Sequence, residues 1–405
     1  MKGMSVLRKA KRAVIIGCGI AGPATALFLQ RAGIEAEIYE ASELGEAETG
    51  LFLNVARNGM RILQELGLDD EVRRLGIEMY TLRMMNSNGK LLGTVEPKTG
   101  EPQGYTLKRQ ELHHVLREAA QRNGIPITFG KRLQSLETNA TEGAVTAHFT
   151  DSSTATGDFI VGCDGIHSRT RKCILPDAPP PTYTGLISFG GYLHKDQVPH
   201  VPGAQHLIFG KKAFFGYLVH RSGEVYWFGN LDYPGLPTRR ELMSIPQNVW
   251  REKIEALYKD DVSPVPDIVR ETPGDILFYP IYDMPPLPRW HVNRIVLVGD
   301  AVHATSPNAG QGASLALEDA MVLAKCVRDI PDLDEAFHRY RELRKERVER
   351  IVRYSRQLGS RKHATHPVQV FFRDLLLPFF LRQASKQSFA WLYDYHIDWK
   401  QTVSN

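Results

Sequence analysis

Short apolar runs and longer amphipathic stretches alternate along the first part of the chain. Residues 13–16 (AVII) are apolar throughout and end at a glycine, which is typical of a buried parallel strand. A helix is predicted from Pro23 to Arg31, because proline fits the first turn of a helix and Gly33 follows its end. Residues 36–39 predict a second strand. This order of strand, helix and strand is typical of an α/β fold.

The middle of the chain has a different pattern, in which strand-like runs are separated by turns. Residues 221–223 (RSG) are a turn signal that joins two of these runs. Proline-rich joints at residues 176–181 and 280–288 bracket the region. We therefore predict an antiparallel sheet inserted into the first domain, with strands at residues 186–193, 206–210, 214–220 and 224–231.

Helical patterns dominate the last part of the chain. We predict helices at residues 247–259, 313–327 and 334–359, and shorter ones near Phe371 and Trp391. The helix at 334–359 is rich in arginine, and its interleaved glutamates favour a solvated face over a phosphate-binding site. The apolar segment 370–381 favours a helix that packs on the sheet over one that docks on a membrane or a second subunit.

The composition narrows the class of protein. A chain of 405 residues is long enough for two interlocked domains. The net charge of +4 is small and aromatic-rich basic stretches are absent, which argues against a nucleic-acid partner. The four cysteines have neither metal-ligand nor disulfide spacing, so we expect no metal site and a cytoplasmic location. We expect no transmembrane segment and no signal peptide.

A glycine-rich element follows the first strand and is the first candidate site. Gly17 allows a tight turn, Gly19 lets the backbone approach a pyrophosphate, and Gly22 lets the helix pack close to the strand. Glu40 follows the second strand, where an acidic residue accepts ribose hydroxyls. Its charge would repel a 2′-phosphate, so the site suits FAD or NAD rather than NADP. The predicted dinucleotide contacts are Gly17, Gly19, Ile20, Ala21, Gly22 and Glu40; the alternative is a glycine-rich turn without a ligand.

Two further motifs lie far downstream. Residues 297–313 (LVGDAVHATSPNAGQGA) predict a strand, a sharp turn, a proline-containing loop and a glycine-rich helix start. Residues 163–171 (CDGIHSRTR) follow a third apolar strand. With the first glycine-rich element, and in this order, they resemble the FAD-dependent aromatic hydroxylases, single-component flavoprotein monooxygenases of the para-hydroxybenzoate hydroxylase type. The resemblance covers residues 12–184 and 274–356 and is weak between them, where the substrate should bind.

The resemblance implies that the cofactor is FAD and gives several residues a role. Asp300 would hold the ribityl side of FAD. Asp164 would help to position the cofactor. Arg109, at the start of a helix, would contact phosphate or flavin oxygens, although a solvated arginine is the alternative.

The loop after Asp300 would run along the flavin ring. By resemblance, Pro307 lies beside the reactive carbon of the flavin. Gly310, Gly312 and Ala313 would form a helix start whose free N–H groups face the pyrimidine edge of the ring. A helix start stabilises an anion, so this arrangement would favour the negatively charged reduced flavin.

The resemblance also implies the overall architecture. We expect an α/β fold with a Rossmann-like FAD-binding domain, an inserted antiparallel-sheet substrate domain and C-terminal helices. The expected boundaries are 1–180 and 274–355 for the FAD-binding domain, 181–273 for the substrate-binding sheet and 356–405 for the helical segment.

The implied reaction is hydroxylation of an aromatic or polycyclic small molecule. NADH or NADPH would reduce FAD, dioxygen would form a flavin hydroperoxide, and one oxygen atom would pass to the substrate. Only one nucleotide fingerprint is visible, so the nicotinamide donor would have no Rossmann domain of its own. The alternatives are a flavin-binding redox sensor without turnover and an NAD-dependent dehydrogenase.

Aromatic residues of the middle region are the candidate substrate contacts, namely Phe189, Phe215 and Tyr217. Residues 189–190 (FG) stand where many urate- and salicylate-type members of the family have Trp-Arg, which argues against a small carboxylate held by that arginine. The apolar, aromatic character of the middle region favours a larger planar substrate. No catalytic residue is assigned; His206, His220, Tyr217 and Tyr226 are candidates for an acid or base by location alone. We expect a monomer or a homodimer.

Overall fold

The structure, a computed structural model, describes residues 11–43, 50–96, 100–139, 143–195, 198–360 and 389–403. The helix predicted near Phe371 and the apolar segment 370–381 lie outside these residues. The strands are β1 (Arg12–Ile16), β2 (Glu35–Tyr39), β3 (Phe52–Ala56), β4 (Ile77–Met79), β5 (Thr81–Asn86), β6 (Leu91–Val95), β7 (Gly104–Lys108), β8 (Ile127–Thr128), β9 (Leu133–Asn139), β10 (Ala144–Phe149), β11 (Thr154–Gly157), β12 (Phe159–Gly162), β13 (Thr182–His194), β14 (Ala204–Phe209), β15 (Phe214–Val219), β16 (Glu224–Asp232), β17 (Leu277–Asp283), β18 (His291–Val292) and β19 (Ile295–Leu297).

The helices confirm most of the predicted positions. The first begins at Ala21, slightly before Pro23, and the predicted short helix near Trp391 is a single turn. The helices are α1 (Ala21–Arg31), α2 (Arg57–Glu65), α3 (Asp69–Leu75), α4 (Arg109–Arg122), α5 (Arg169–Ile174), α6 (Arg239–Ser244), α7 (Gln247–Tyr258), α8 (Val265–Glu271), α9 (Asp300–His303), α10 (Gly312–Asp329), α11 (Leu333–Ser360) and α12 (Ala390–Tyr393). None of the described helices combines the length and the apolar character needed to cross a bilayer.

A six-stranded sheet forms the centre of the first domain, in the order β18-β19-β12-β1-β2-β8. Its pairs are parallel except β18 with β19. Residues 13–15 have no exposed surface, as expected for a strand covered on both faces. The carboxyl ends of β1, β2, β12 and β19 meet at one edge, which brings together the sequence-distant motifs that follow these strands.

A seven-stranded sheet forms the second domain, in the order β17-β13-β16-β15-β14-β5-β6. Its pairs are antiparallel except β5 with β14. The range 181–273 contains four of the seven strands, while β5, β6 and β17 come from outside it. The antiparallel inserted sheet is thus present, and flanking parts of the chain complete it.

The two faces of this sheet have different neighbours. The outer face carries Phe189, Phe215, Tyr217 and Trp227 and packs against α7 and α8 in one apolar cluster. The inner face carries Tyr192, Leu218, Tyr226 and Phe228 and packs against the first domain through β3 and β4. Since successive residues of a strand alternate between faces, a residue's position in its strand decides whether it faces the first domain.

Candidate active site

A cavity of about 630 Å³ opens at the carboxyl edge of the six-stranded sheet. Gly17, Gly19, Glu40 and Asp164, which are far apart in sequence, line this cavity together. The cavity is also lined by basic residues that were not predicted from the sequence, namely Lys131, Arg132 and Arg169. These cations have no recognisable motif; the fold brings them to the cavity because the backbone N–H of Lys131 bonds to the carbonyl oxygen of Glu40 over 2.7 Å.

The glycine positions of the first motif are fixed by close backbone contacts. Gly17 has φ +104°, and a Cβ there would lie 2.6 Å from the carbonyl oxygen of Cys163. A Cβ at Gly22 would collide with the carbonyl oxygen of Gly17, so only glycine lets α1 pack this close to the strand. A Cβ at Gly19 would meet no protein atom within 4 Å, so its backbone faces open space. The loop thus leaves room for a pyrophosphate at Gly19.

Glu40 is held rigidly at the end of β2. Its Oε2 accepts a hydrogen bond from the backbone N–H of Cys18 over 2.7 Å, and its Oε1 accepts one from Ser42 over 2.9 Å. Both oxygens keep further lone pairs, which suits donors such as ribose hydroxyls. The predicted ribose contact stays a prediction.

Asp164 has a structural task that the sequence analysis did not foresee. Its carboxylate accepts bonds from the Ser168 hydroxyl (2.5 Å) and from the backbone N–H groups of Arg169 (2.7 Å) and Thr170 (2.9 Å), and so caps α5. Arg171, only 2% exposed, donates to the carbonyl oxygen of Ala301 over 2.7 Å. The middle motif is thereby tied to the turn that carries Asp300.

The turn before Asp300 lies between two helix starts. Gly299 has φ +63°, and a Cβ there would lie 3.3 Å from the Cβ of Ala21 in α1 and 3.2 Å from that of Ala316 in α10. Asp300 is the first residue of α9 and is exposed. It does not line the 630 Å³ cavity, and its predicted contact with FAD stays a prediction.

The loop after Asp300 forms the predicted helix start. Pro307 opens a short 3₁₀ turn, Gly310 has φ +60°, and α10 begins at Gly312 and continues through Ala313. The nearest atom to a Cβ at Gly312 would be the Thr305 methyl group at 3.8 Å, so space remains in front of the helix.

Two side chains beside this helix start have buried polar atoms without a partner among the described residues. They are the Asn54 Oδ1 and the Gln311 Nε2, and Gln311 is only 1% exposed. Asn54 belongs to β3 and donates through its Nδ2 to the carbonyl oxygen of Gly310 over 3.3 Å. A buried donor and a buried acceptor fit the polar edge of an isoalloxazine ring, which offers both N–H and carbonyl groups. Gln311 lies within the glycine-rich motif, whereas nothing in the sequence indicates Asn54.

A buried ion-pair network holds the turn from behind. Asp319 of α10 accepts bonds from His303 (2.5 Å), the backbone N–H of Gly299 (3.1 Å) and Arg344 of α11 (2.7 Å). Burial alone would raise the pKa of Asp319, but the charges of His303 and Arg344 lower it to about 2. The carboxylate therefore stays ionised and fixes the position of the turn.

The same network contradicts the expectation that the arginine-rich face of the helix predicted at 334–359 is solvated, at two of its arginines. Arg344 is fully buried and also forms an ion pair with Glu318 at 2.6 Å, and Arg347 is paired with Glu318 at 2.8 Å. These two arginines of α11 do not belong to a solvated face, because their carboxylate partners lie on α10 rather than on their own helix.

Arg109 begins α4, as predicted. It is exposed, its side chain packs along Gly50, and its Nε bonds to the Nε2 of His113 at 3.4 Å. The predicted contact with phosphate or flavin oxygens stays a prediction.

The candidate substrate residues lie on the outer face of the seven-stranded sheet. Phe189 and Phe215 have no exposed surface and pack with Trp227, which makes them core residues of the second domain. Tyr217 is 1% exposed and donates to the carbonyl oxygen of Pro199 over 2.5 Å. The structure therefore does not support their assignment to the substrate, since the first domain contacts the opposite face.

The four candidates for an acid or base form two stacked pairs, His206 with Tyr217 and His220 with Tyr226. His206 stacks on Tyr217 at the outer face, with ring centroids 4.6 Å apart. His220 lies at the turn after β15, where its Nδ1 is 2.8 Å from the Ser222 hydroxyl. Tyr226 lies on the inner face, where its ring contacts Phe52 and stacks on His220, and burial raises the pKa of its phenol.

Two inner-face tyrosines were missed by the sequence analysis. The hydroxyls of Tyr192 and Tyr279 are buried and have no partner among the described residues. Tyr279 pairs with Ser188 across β17 and β13, which places it on the same face as Tyr192. Burial raises the pKa of both phenols, so both are donors at neutral pH. Strand periodicity limits such residues to one of two faces but does not indicate which face receives the first domain.

The chain is similar to known proteins in its family, its sequence and its structure. A model of the FAD binding domain matches residues 11–196 and 284–355. The chain is 30% identical over 362 residues to the FAD-dependent urate hydroxylase of Klebsiella oxytoca, covering 85% of this chain and 89% of the relative. It is 28% identical over 403 residues to 3-hydroxybenzoate 6-hydroxylase of the same species, covering 97% and 98%. Among solved structures, Klebsiella pneumoniae HpxO complexed with FAD and uric acid is similar with a TM-score of 0.81 at 25% identity, covering 93% of this chain and 96% of that one.

Proposed function

The chain belongs to the family of FAD-dependent aromatic hydroxylases, and on that premise we propose that it uses NADH or NADPH and dioxygen to hydroxylate a planar aromatic substrate. The substrate would lie between the loop that precedes α10 and the inner face of the seven-stranded sheet. When bound, FAD would supply the redox chemistry, accepting hydride from the nicotinamide and activating dioxygen at its C4a carbon.

The observation that carries this proposal is the position of β3 between the flavin loop and the inner face. Phe52 contacts the rings of Tyr192 and Tyr226, with centroids 6.3 and 5.5 Å away. Asn54, two residues further on the same face of the strand, bonds to the carbonyl oxygen of Gly310. Two residues of a strand span about 7 Å, so the inner face and the loop are close enough to hold one ring system between them.

The residues around this space would orient the substrate and exclude water. Tyr192 and Tyr279 offer phenolic O–H donors, which suits a ring that carries oxygen or nitrogen acceptors. Phe228 and Tyr226 supply aromatic surface on the same face. Urate and 3-hydroxybenzoate, named for two relatives, are oxygen-bearing rings, which supports this class of substrate.

The chain's own residues would also support the flavin. The backbone N–H groups at the start of α10 would stabilise negative charge on the ring, and Asn54 and Gln311 would pair with its polar edge. In the 630 Å³ cavity at the carboxyl edge of the six-stranded sheet, the positive charges of Lys131, Arg132 and Arg169 would offset the charge of the pyrophosphate. The hydrogen bond between His303 and Asp319 would keep the loop in place without touching the substrate.

The test is turnover by purified, FAD-loaded protein with a panel of planar aromatics. We expect a yellow protein in which one compound accelerates NADH or NADPH oxidation, and labelled dioxygen that places one oxygen atom in the product. A colourless protein that binds NAD tightly would support the dehydrogenase alternative. Flavin reduction that no aromatic accelerates, with no hydroxylated product, would support the redox sensor.

A further inference from the structure

A second cavity, of about 300 Å³, lies on the outer face of the seven-stranded sheet where β5 pairs with β14. The first domain packs on the inner face, so this cavity is separate from both the FAD cavity and the proposed substrate site. Nothing in the proposed function uses it. Its polar lining residues include Arg83, His200, His206 and Tyr217, and its apolar ones include Met85, Ile208, Val262 and Val265.

Three of the polar residues form one row across the strands. Arg83 of β5 lies directly opposite His206 of β14, and His206 lies opposite Tyr217 of β15. The rings of His206 and Tyr217 stack with an angle of 10° between their planes. The Tyr217 hydroxyl is occupied, because it donates to the carbonyl oxygen of Pro199. Of the three residues in this row, Arg83 and His206 therefore keep groups that can contact a ligand.

A backbone hydrogen bond fixes the tautomer of His206. The N–H of Val201 donates to the Nε2 of His206 over 3.2 Å, so Nε2 is the unprotonated nitrogen and Nδ1 carries the hydrogen. Burial, together with the charges of Arg83 and His200, lowers the pKa of His206 to about 4, so the ring is neutral at pH 7. His206 is 4% exposed and its Nδ1 has no partner among the described residues. The cavity thus contains a buried N–H donor that lacks an acceptor.

Arg83 provides a second donor of the same kind. Its Nε is buried and has no partner among the described residues. No aspartate or glutamate is among the residues that line the cavity. A buried donor without an acceptor destabilises the folded protein. A ligand that accepts hydrogen bonds from both Arg83 and His206 would remove this free-energy penalty.

We propose that this cavity binds a small organic carboxylate, whose oxygens accept hydrogen bonds from Arg83 and from the Nδ1–H of His206. Arginine suits a carboxylate because its donors match the two oxygens. The apolar lining residues suit the carbon part of the ligand, which favours an organic acid over inorganic phosphate. The site does not depend on the proposed reaction, because it lies on the other face of the sheet.

The test uses FAD-loaded protein labelled with ¹⁵N in histidine, with benzoate as the probe and acetate as a smaller one. We expect benzoate to shift the His206 Nδ1 signal in a saturable way while the flavin absorbance stays unchanged. Arg83→Met should weaken this binding about tenfold or more, since a charge-assisted hydrogen bond is lost, and Arg83→Lys should restore part of it. Arg240→Met, which removes an exposed arginine of the same domain, is the matched control for net charge and should bind as the unmodified protein does.

Three results would overturn the proposal. The first is a His206 signal that benzoate and acetate leave unchanged, which would mean that the cavity holds water alone. The second is equal affinity in Arg83→Met and Arg240→Met. The third is benzoate binding that changes only the flavin absorbance, which would place the probe in the oxidation site. None of these results bears on whether the protein hydroxylates an aromatic compound.

Discussion

Gly312 is the residue at which the proposed flavin chemistry depends most directly on the backbone. It begins α10, and a side chain there would extend into the space in front of the helix start. Gly312→Asp should place a negative charge against the reduced flavin and remove stabilisation of ~0.3–2 kcal/mol. For a two-electron couple this corresponds to a fall in reduction potential of ~6–43 mV.

The matched control for this prediction is Gly312→Asn, which has nearly the same shape without the charge. Potentials should be measured on folded, FAD-loaded protein. If the Asp and Asn variants have equal potentials, the electrostatic role of this helix start is wrong, although FAD can still be the cofactor.

Substitution of Tyr279 tests whether the inner face of the seven-stranded sheet contacts the substrate. Its hydroxyl has no partner among the described residues, so Tyr279→Phe should leave the free energy of unfolding nearly unchanged. If the hydroxyl donates to substrate, the KM for the substrate should rise by about two- to tenfold, as one neutral hydrogen bond is lost. Tyr258→Phe is the converse control: that hydroxyl donates to the carbonyl oxygen of Phe214 over 2.8 Å, so stability should fall and KM should not change. An unaltered KM in Tyr279→Phe would exclude the contact.

At the scale of elements, sequence reasoning succeeded where the information is local. The strands and helices of the FAD-binding parts follow from apolar runs, proline and glycine, and the glycine loops follow from backbone geometry that only glycine allows. It failed where a contact joins distant elements. Arg344 on α11 is buried because Glu318 and Asp319 lie on the neighbouring α10, and charge patterning within one helix does not contain this information. Phe189 and Phe215 were predicted to contact the substrate and lie instead in the core of the outer face. The reason is related: alternation gives two faces but does not say which one meets the other domain.

The pair α10 and α11 yields a stability prediction. Arg344→Met would leave the buried carboxylate of Asp319 without its arginine, and a broken buried pair typically costs about 3–5 kcal/mol. Arg353→Met on the same helix, where the side chain is 64% exposed and 3.8 Å from Glu349, should change stability by about 0.5 kcal/mol or less. Urea unfolding of both variants measures the difference. Similar midpoints would mean that the network does not hold the turn at Gly299.

At the scale of the whole molecule, the 630 Å³ cavity proposed to hold FAD is built from several separate stretches of the chain. Its lining comes from residues 16–19, 39–41, 131–134, 150 and 163–169, and the predicted flavin loop adds a later stretch. A ligand that binds only when all of these are assembled stabilises the folded state, by about 2.7 kcal/mol at a free concentration one hundred times its Kd. We therefore expect the thermal midpoint to rise with FAD concentration.

Substitution of Asp300 separates the effect of this residue on protein stability from its effect on FAD binding. Its side chain is exposed and accepts no hydrogen bond within the part of the chain that the structure describes, so Asp300→Ala should unfold like the unmodified protein when FAD is absent. If the carboxylate holds the ribityl side of FAD, the rise in midpoint with added FAD should shrink in this variant. Glu252→Ala, which removes an exposed carboxylate from α7, should keep the full rise. An Asp300→Ala protein that is less stable without FAD but gains the normal increment with it would show a purely structural role for this turn, because the loss would then lie in the fold and not in the cofactor contact.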